Sequence, residues 1–192
     1  MDWMASAMRA AQAQLETATH NLANVASDGF RRLRSELALT GHGLEAREVP
    51  DHAQGGIRET GRTLDLALLG PGAFRAGGLE TRNGAFVRDR DGYLADQHGR
   101  RVAGAAGPIR LSENATIAAD GSVRDDGRIV GRLPLPAGTT VRSGALESSS
   151  VDAIGETLAV LTAQRAFETA QKTLVAIDQT REKAVNDVVR LK

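Results

Sequence analysis

The sequence predicts an α+β protein, with long N- and C-terminal helices packing as a coiled-coil-like module and a small central all-β domain. Two observations carry this. Apolar residues recur at alternating spacings of three and four at both ends of the chain, and four turn-forming dipeptides punctuate the middle.

At the N-terminus, Met4, Met8, Ala11, Leu15, Ala18, Leu22 and Val25 fall on one stripe of a helix. The spacing predicts a helix ending near Ser27 and Asp28, closed by Gly29 in the left-handed conformation, with a short helical continuation through Leu39. At the C-terminus, Val160, Ala163, Phe167, Ala170, Leu174, Ile177, Arg181, Ala184, Val188 and Leu191 form a second stripe, Arg181 being its one polar member. That helix is expected over about Val151 to Val189, N-capped by Ser149 or Ser150, with Asp152 and Glu156 near its positive end.

Between the helices, Asn83-Gly84, Asp91-Gly92, Asp120-Gly121 and Asp126-Gly127 read as hairpin turns. They flank short candidate strands at Leu64–Leu68, Ala85–Arg88, Tyr93–Ala95, Thr116–Ala118, Ser122–Arg124 and Ile129–Arg132. The expected organisation is a terminal helical assembly module at 1–40 and 144–192, a linker at 41–59, a β domain at 60–133 and a second linker at 134–143. Each terminal stripe needs a partner to bury it, either the other stripe or copies of itself. Met4, Met8, Leu15, Leu22, Val25, Val160, Phe167, Leu174, Ile177 and Val188 are therefore the candidate subunit-interface residues.

Composition narrows the function classes. The 24 basic and 24 acidic side chains balance and are interspersed, which argues against a nucleic-acid footprint. Arg31, Arg32 and Arg34 form the densest basic cluster, without the interleaved aromatics of a strand-binding groove. Cysteine is absent, so thiolate metal sites and disulfides are not available. No segment reads as a cleaved secretory signal or a membrane span, so direct membrane insertion is not expected.

Catalytic and cofactor signatures are also missing. His20, His42, His52 and His98 are scattered, with no pair four residues apart to ligate a metal from one helix face. Asp89-Arg90-Asp91-Gly92 has Val87 and His98 where a calcium loop needs carboxylates. Gly70-Pro71-Gly72 lacks the following Lys-Ser or Lys-Thr of a phosphate loop, and Ser148 to Ser150 lack a nucleophile elbow. The reading is a non-enzyme without cofactor or metal.

The segment Asn21-Leu22-Ala23-Asn24-Val25-Ala26-Ser27-Asp28-Gly29-Phe30-Arg31 resembles the N-terminal signature of flagellar rod and hook axial proteins. Three further stretches are similar to that family in the same order. They are Thr60-Gly61-Arg62-Thr63-Leu64-Asp65-Leu66-Ala67-Leu68, then Thr81-Arg82-Asn83-Gly84-Ala85-Phe86 continuing to Asp91-Gly92-Tyr93-Leu94, then Gly144 to Asp152 leading into Gln164-Arg165-Ala166-Phe167-Glu168. Asn21, Asn24, Gly29, Phe30, Leu146, Glu147, Ser149, Gln164, Arg165 and Glu168 are the signature positions. Ser150 and Ala170 depart from the family's usual Asn. Met1-Asp2 with Ala7-Met8, and Val130-Gly131-Arg132-Leu133, look more like a proximal rod member, and Gln164 to Glu168 more like a distal one.

The resemblance implies a structural subunit of the flagellar basal-body rod. It would stack helically with copies of itself and other rod and hook axial proteins as drive shaft and export channel, and leave the cell through the flagellar type III export apparatus without a cleaved signal. A hook-type axial subunit and a helical export or assembly adaptor are the alternatives.

Overall fold

The computed structural model describes residues 2–41 and 43–190, with side chains from 3 to 41 and 43 to 184. Met1, His42 and Leu191 lie outside the described residues, and Val188 outside the described side chains. The chain forms two units, one from Met1–Ala23, Leu33–Asp51 and Asp152–Lys192, the other from Asn24–Arg32 and His52–Val151.

The first unit starts with helix α1 (Asp2–Ala23), an alanine-rich sequence with high helix propensity. Strands β1 (Leu33–Thr40) and β2 (Gly43–Pro50) follow as an antiparallel hairpin, in register from Leu33 opposite Pro50 to Thr40 opposite Gly43. Helix α2 (Ala153–Arg190) completes the unit. The two helices pack on each other, and α1 also packs on the hairpin. Asn21 in the last turn of α1 bonds Glu156 in the first turn of α2, so the helices run antiparallel. At 1.5 Å per residue α1 spans about 33 Å and α2 about 57 Å, so α2 runs well past the start of α1. Accordingly Asp178 to Ala184 are all exposed.

The hairpin corrects the expectation of a helical continuation to Leu39 and a linker from residue 41. Leu33–Thr40 contains good helix formers, but its backbone bonds to β2 and to α1 side chains, and that tertiary pairing overrides local propensity. Helix α1 also stops at Ala23, before the expected end, and the chain turns through Asn24 to Ser27, whose amide donates to the Asn24 carbonyl. The cap of α2 is Asp152, not Ser149 or Ser150. Its carboxylate accepts from Ile154 N at 3.2 Å and Gly155 N at 3.1 Å.

The second unit is built of short strands. Its first half contains β3 (Ile57–Glu59), β4 (Leu66–Leu69), β5 (Phe74–Ala76), β6 (Leu79–Thr81), β7 (Val87–Arg88), β8 (Leu94–Ala95) and β9 (Ala103–Gly104). The rest are β10 (Gly107–Pro108), β11 (Thr116–Ile117), β12 (Ser122–Asp125), β13 (Arg128–Arg132), β14 (Thr140–Ser143) and β15 (Ala145–Glu147). Neighbours in sequence pair as antiparallel hairpins, while β14 returns to β4 and β15 to β3, closing the first strands against the last. The second expected linker is thus partly strand, because Thr140–Ser143 pairs residue by residue with Leu66–Leu69.

Three of the four turn dipeptides do close hairpins, at β7–β8, β11–β12 and β12–β13. Carboxylates support the first two of these turns: Asp89, two residues before the Asp91-Gly92 dipeptide, accepts from Asp91 N, and Asp120 accepts from Ser122 N. Asn83-Gly84 instead runs alongside β4, with Leu66 N donating to Gly84 O at 3.0 Å, and the β5–β6 turn is Gly77-Gly78. The core is aliphatic around one aromatic pair, Phe74 and Phe86, whose rings meet edge to face at 5.0 Å.

Candidate functional site

Helix α1 presents two faces to its own unit. One is the predicted apolar stripe, with Ala11 and Ala18 buried and Met4, Met8, Leu15 and Leu22 half-buried. The other is a stripe of small and polar residues, Ser6, Ala10, Ala13, Thr17 and Asn21, and it serves the hairpin. Ser6 Oγ accepts from Leu44 N at 3.1 Å, and Thr17 Oγ1 donates to Glu48 at 2.8 Å. The Asn21 carbonyl oxygen accepts from Leu33 N at 2.8 Å, while its amide donates to Leu33 O at 2.7 Å and Glu156 Oε2 at 3.1 Å. Asn21 and Glu156 are both buried. One amide side chain therefore ties the end of α1, the start of β1 and the start of α2. A side chain with both a donor and an acceptor end is what this position uses.

Within the second unit a separate junction gathers three segments, at Gly29, Gly55 and Leu68 to Gly72, around a buried ion pair. Arg82 Nε donates to Glu147 Oε2 at 2.8 Å, and both side chains are withdrawn from water. The Arg82 fork also donates to the carbonyls of Gly70, Gly72 and Leu68 at 2.8, 2.9 and 3.3 Å. Gly55 N donates to the other Glu147 oxygen at 3.1 Å, and Gly29 N to the Glu147 carbonyl at 2.6 Å. Both charges are thus supplied with hydrogen bonds, the condition under which a buried pair is tolerated.

Gly29 does take a left-handed φ of +70°, but six residues beyond the end of α1. A Cβ there would lie 2.2 Å from Asn83 N and 2.3 Å from the Arg82 carbonyl carbon, so glycine is needed for close backbone approach. Phe30, half-buried, accepts at its carbonyl from Ser150 N at 3.0 Å, and Ser150 Oγ accepts from Arg32 N at 3.0 Å. Ser149 Oγ accepts from Val151 N, and Asn24 Oδ1 from the Ser27 hydroxyl. Leu146 is buried beside Glu147.

Helix α2 carries a feature the 3-4 stripe did not point to. The predicted positions Val160, Phe167, Leu174 and Ile177 are half-buried and Ala163 buried. On the opposite face Ile154, Leu158 and Leu161 are 76%, 60% and 48% exposed. The signature residues Gln164, Arg165 and Glu168 are exposed as well, Gln164 donating to Glu168 at 3.3 Å. Val25 is exposed and lies past the end of α1, so it is not on the helical stripe.

Neither periodicity nor motif points to Arg82, Glu156, Ser6 or Thr17 as site residues. Arg82 lies in the Thr81 to Phe86 segment, but its partner is 65 positions away. Small and polar residues leave no apolar period to detect.

A family profile described as "Flagellar basal body rod FlgEFG protein C-terminal" matches residues 142–187, the stretch from β14 through Glu147 and most of α2. The flagellar basal-body rod protein FlgG of Agrobacterium fabrum is 28% identical, covering 91% of this chain and 94% of the relative. That alignment runs over 245 positions, more than the 192 residues here, so the relative has segments without a counterpart in this chain. The rod protein FlgF of Mesorhizobium japonicum is 29% identical over 85% of this chain and 86% of its own. The hook protein FlgE of Brucella abortus is 32% identical, but over 52% of this chain and 29% of the relative. Together the profile and the near full-length rod similarities place the chain: it is a flagellar basal-body rod and hook family protein.

Proposed function

We propose that the protein is a structural subunit of the flagellar basal-body rod. It assembles with copies of itself and with other rod and hook axial proteins through its two helices, and it reaches the rod through the flagellar export apparatus. The observation that carries the assembly half of this reading is the exposed face of α2. Ile154, Leu158 and Leu161 keep large apolar surfaces in water on the side of the helix opposite the one packed in its own unit. Apolar residues on an otherwise polar helix face gain by burial against a neighbour. Rod is favoured over hook because similarity to rod proteins extends over most of the chain, whereas similarity to the hook protein covers about half. The helically stacked drive shaft and channel belong to this reading, and no catalytic step does.

The test is Leu158→Asp. Because Leu158 is mostly exposed, the change should alter monomer stability by no more than about 0.5 kcal/mol. Incorporation into purified basal bodies, and motility, should be lost. Normal rods built from the Leu158→Asp protein would refute assembly through this face.

A further inference from the structure

One edge of the β1–β2 hairpin is open and apolar. Along an antiparallel strand, residues alternate between those whose N–H and C=O point at the partner strand and those whose groups point away. In β1 the odd-numbered residues point away: Leu33 N donates to Asn21 Oδ1 at 2.8 Å, and Leu33 O accepts from the Asn21 amide at 2.7 Å. Leu44, opposite Leu39 on β2, follows the same alternation and turns its N–H to Ser6 Oγ. The N–H and C=O of Leu37 and Leu39 therefore face outward, and among the described residues they have no hydrogen-bond partner. Their side chains are 46% and 76% exposed, on the face from which Glu48 reaches α1 but beyond the helix's cover.

Open edges template pairing with another chain, and proteins blunt them with charge, proline or a bulge. Strand β13 carries such devices. Its Ile129 and Val130 are exposed, but Arg128 and Arg132 flank them and the register shifts between Val123 and Arg124 opposite. Leu37-Ala38-Leu39 has none of these, and its register with β2 is unbroken from Leu33 to Thr40.

We propose that this edge pairs with the same edge of a second copy, antiparallel about a two-fold axis, joining two hairpins into one four-stranded sheet. The residues select the register. Outward groups must meet outward groups, and those of Leu33 are already held by Asn21. An axis at Glu36 sets two carboxylates opposite each other, which is unfavourable. An axis at Leu37 or Leu39 leaves one leucine opposite Ser35 or Gly41. An axis at Ala38 sets Leu37 of each copy opposite Leu39 of the other and Glu36 opposite Thr40, with no like charges opposed. Each Leu37–Leu39 pair then exchanges both of its backbone hydrogen bonds. Such a pair closes on itself, whereas rod stacking needs head-to-tail contacts, so it is a state of the free subunit and independent of the rod reading.

Analytical ultracentrifugation of the purified full chain over a wide concentration range should show a monomer–dimer equilibrium. Leu39→Lys should raise the dimer dissociation constant at least about tenfold, through lost burial and a charge on the edge. Ile129→Lys, on the guarded β13 edge, should leave it unchanged. Amide exchange gives a second readout that needs no variant: in the wild-type chain the Leu37 and Leu39 amides should gain protection as concentration rises, while Glu36 and Ala38, already bonded to β2, should not change. A chain that stays monomeric throughout would overturn the proposal. So would a dimer that survives Leu39→Lys and is lost in Leu158→Asp, since that result moves the contact to α2 and leaves the rod reading standing.

Discussion

Arg82 and Glu147 sit 65 residues apart in sequence, and each is nearly inaccessible to water. The pair is a specifying contact more than a stabilising one, since well-packed apolar residues of the same volume often do as well. Breaking it is another matter. Arg82→Leu leaves Glu147 charged and buried and frees three carbonyls, so urea denaturation should show a loss of about 3–5 kcal/mol, with Arg82→Leu/Glu147→Leu recovering part of it. A double variant no better than the single one would mean that the carbonyl contacts matter more than the charge. None of this was visible in the sequence. The motif around Arg82 stood out as a string of residues, but nothing in a string says which distant carboxylate an arginine meets. The left-handed Gly29 was expected, for the wrong reason: its conformation serves contact with the Arg82–Asn83 backbone, not closure of a helix.

At the level of elements, periodicity revealed one face of α1 and hid the other. Met4, Met8, Leu15 and Leu22 recur at helical spacing because apolar burial needs them there. Ser6, Ala10, Thr17 and Asn21 recur at similar spacing, and Ser6, Thr17 and Asn21 hold the β1–β2 hairpin by hydrogen bonds, which an apolar pattern cannot report. Local sequence predicts helix and linker where the hairpin forms. A two-stranded ribbon is marginal alone, so its stability lies in residues of α1, outside its own sequence. Asn21→Ala strands both the Leu33 N–H and its carbonyl, and should lower stability by about 1–3 kcal/mol. Amide hydrogen exchange should locate the loss in Leu33–Pro50, and unchanged protection there would show that Asn21 does not hold the hairpin.

For the whole molecule, acid is the informative variable. Hydrogen bonds from Tyr93 N and the Arg101 side chain hold the Asp89 carboxyl below its ordinary range. Burial pushes Asp96 up, but the Arg100 amide and guanidinium and the His98 amide outweigh it and the net effect is downward. The Ser122 hydroxyl and amide lower Asp120. A carboxyl lowered on folding contributes stability that is complete above its unfolded value, near 3.9, and is lost as pH falls through the lower folded value. The urea midpoint should therefore be flat from about pH 7 to 5 and fall below about pH 4. Asp96→Asn should flatten that fall, and an equally steep decline in the variant would place the acid sensitivity elsewhere.

Lysine occurs three times in the chain, at Lys172, Lys183 and Lys192, and every other basic side chain is arginine or histidine. Lys172 and Lys183 are exposed and fall on the same face of α2 as Ile154 and Leu158, while Lys192 lies outside the described residues. Amine-directed reagents thus find almost all of their side-chain targets on or beyond that one helix. Acetylation followed by mass spectrometry becomes a footprint of the α2 face alone, with the arginine-only β unit silent. Lys172 should be modified in the free subunit and shielded in the assembled rod, and equal labelling in both states would leave that face in water.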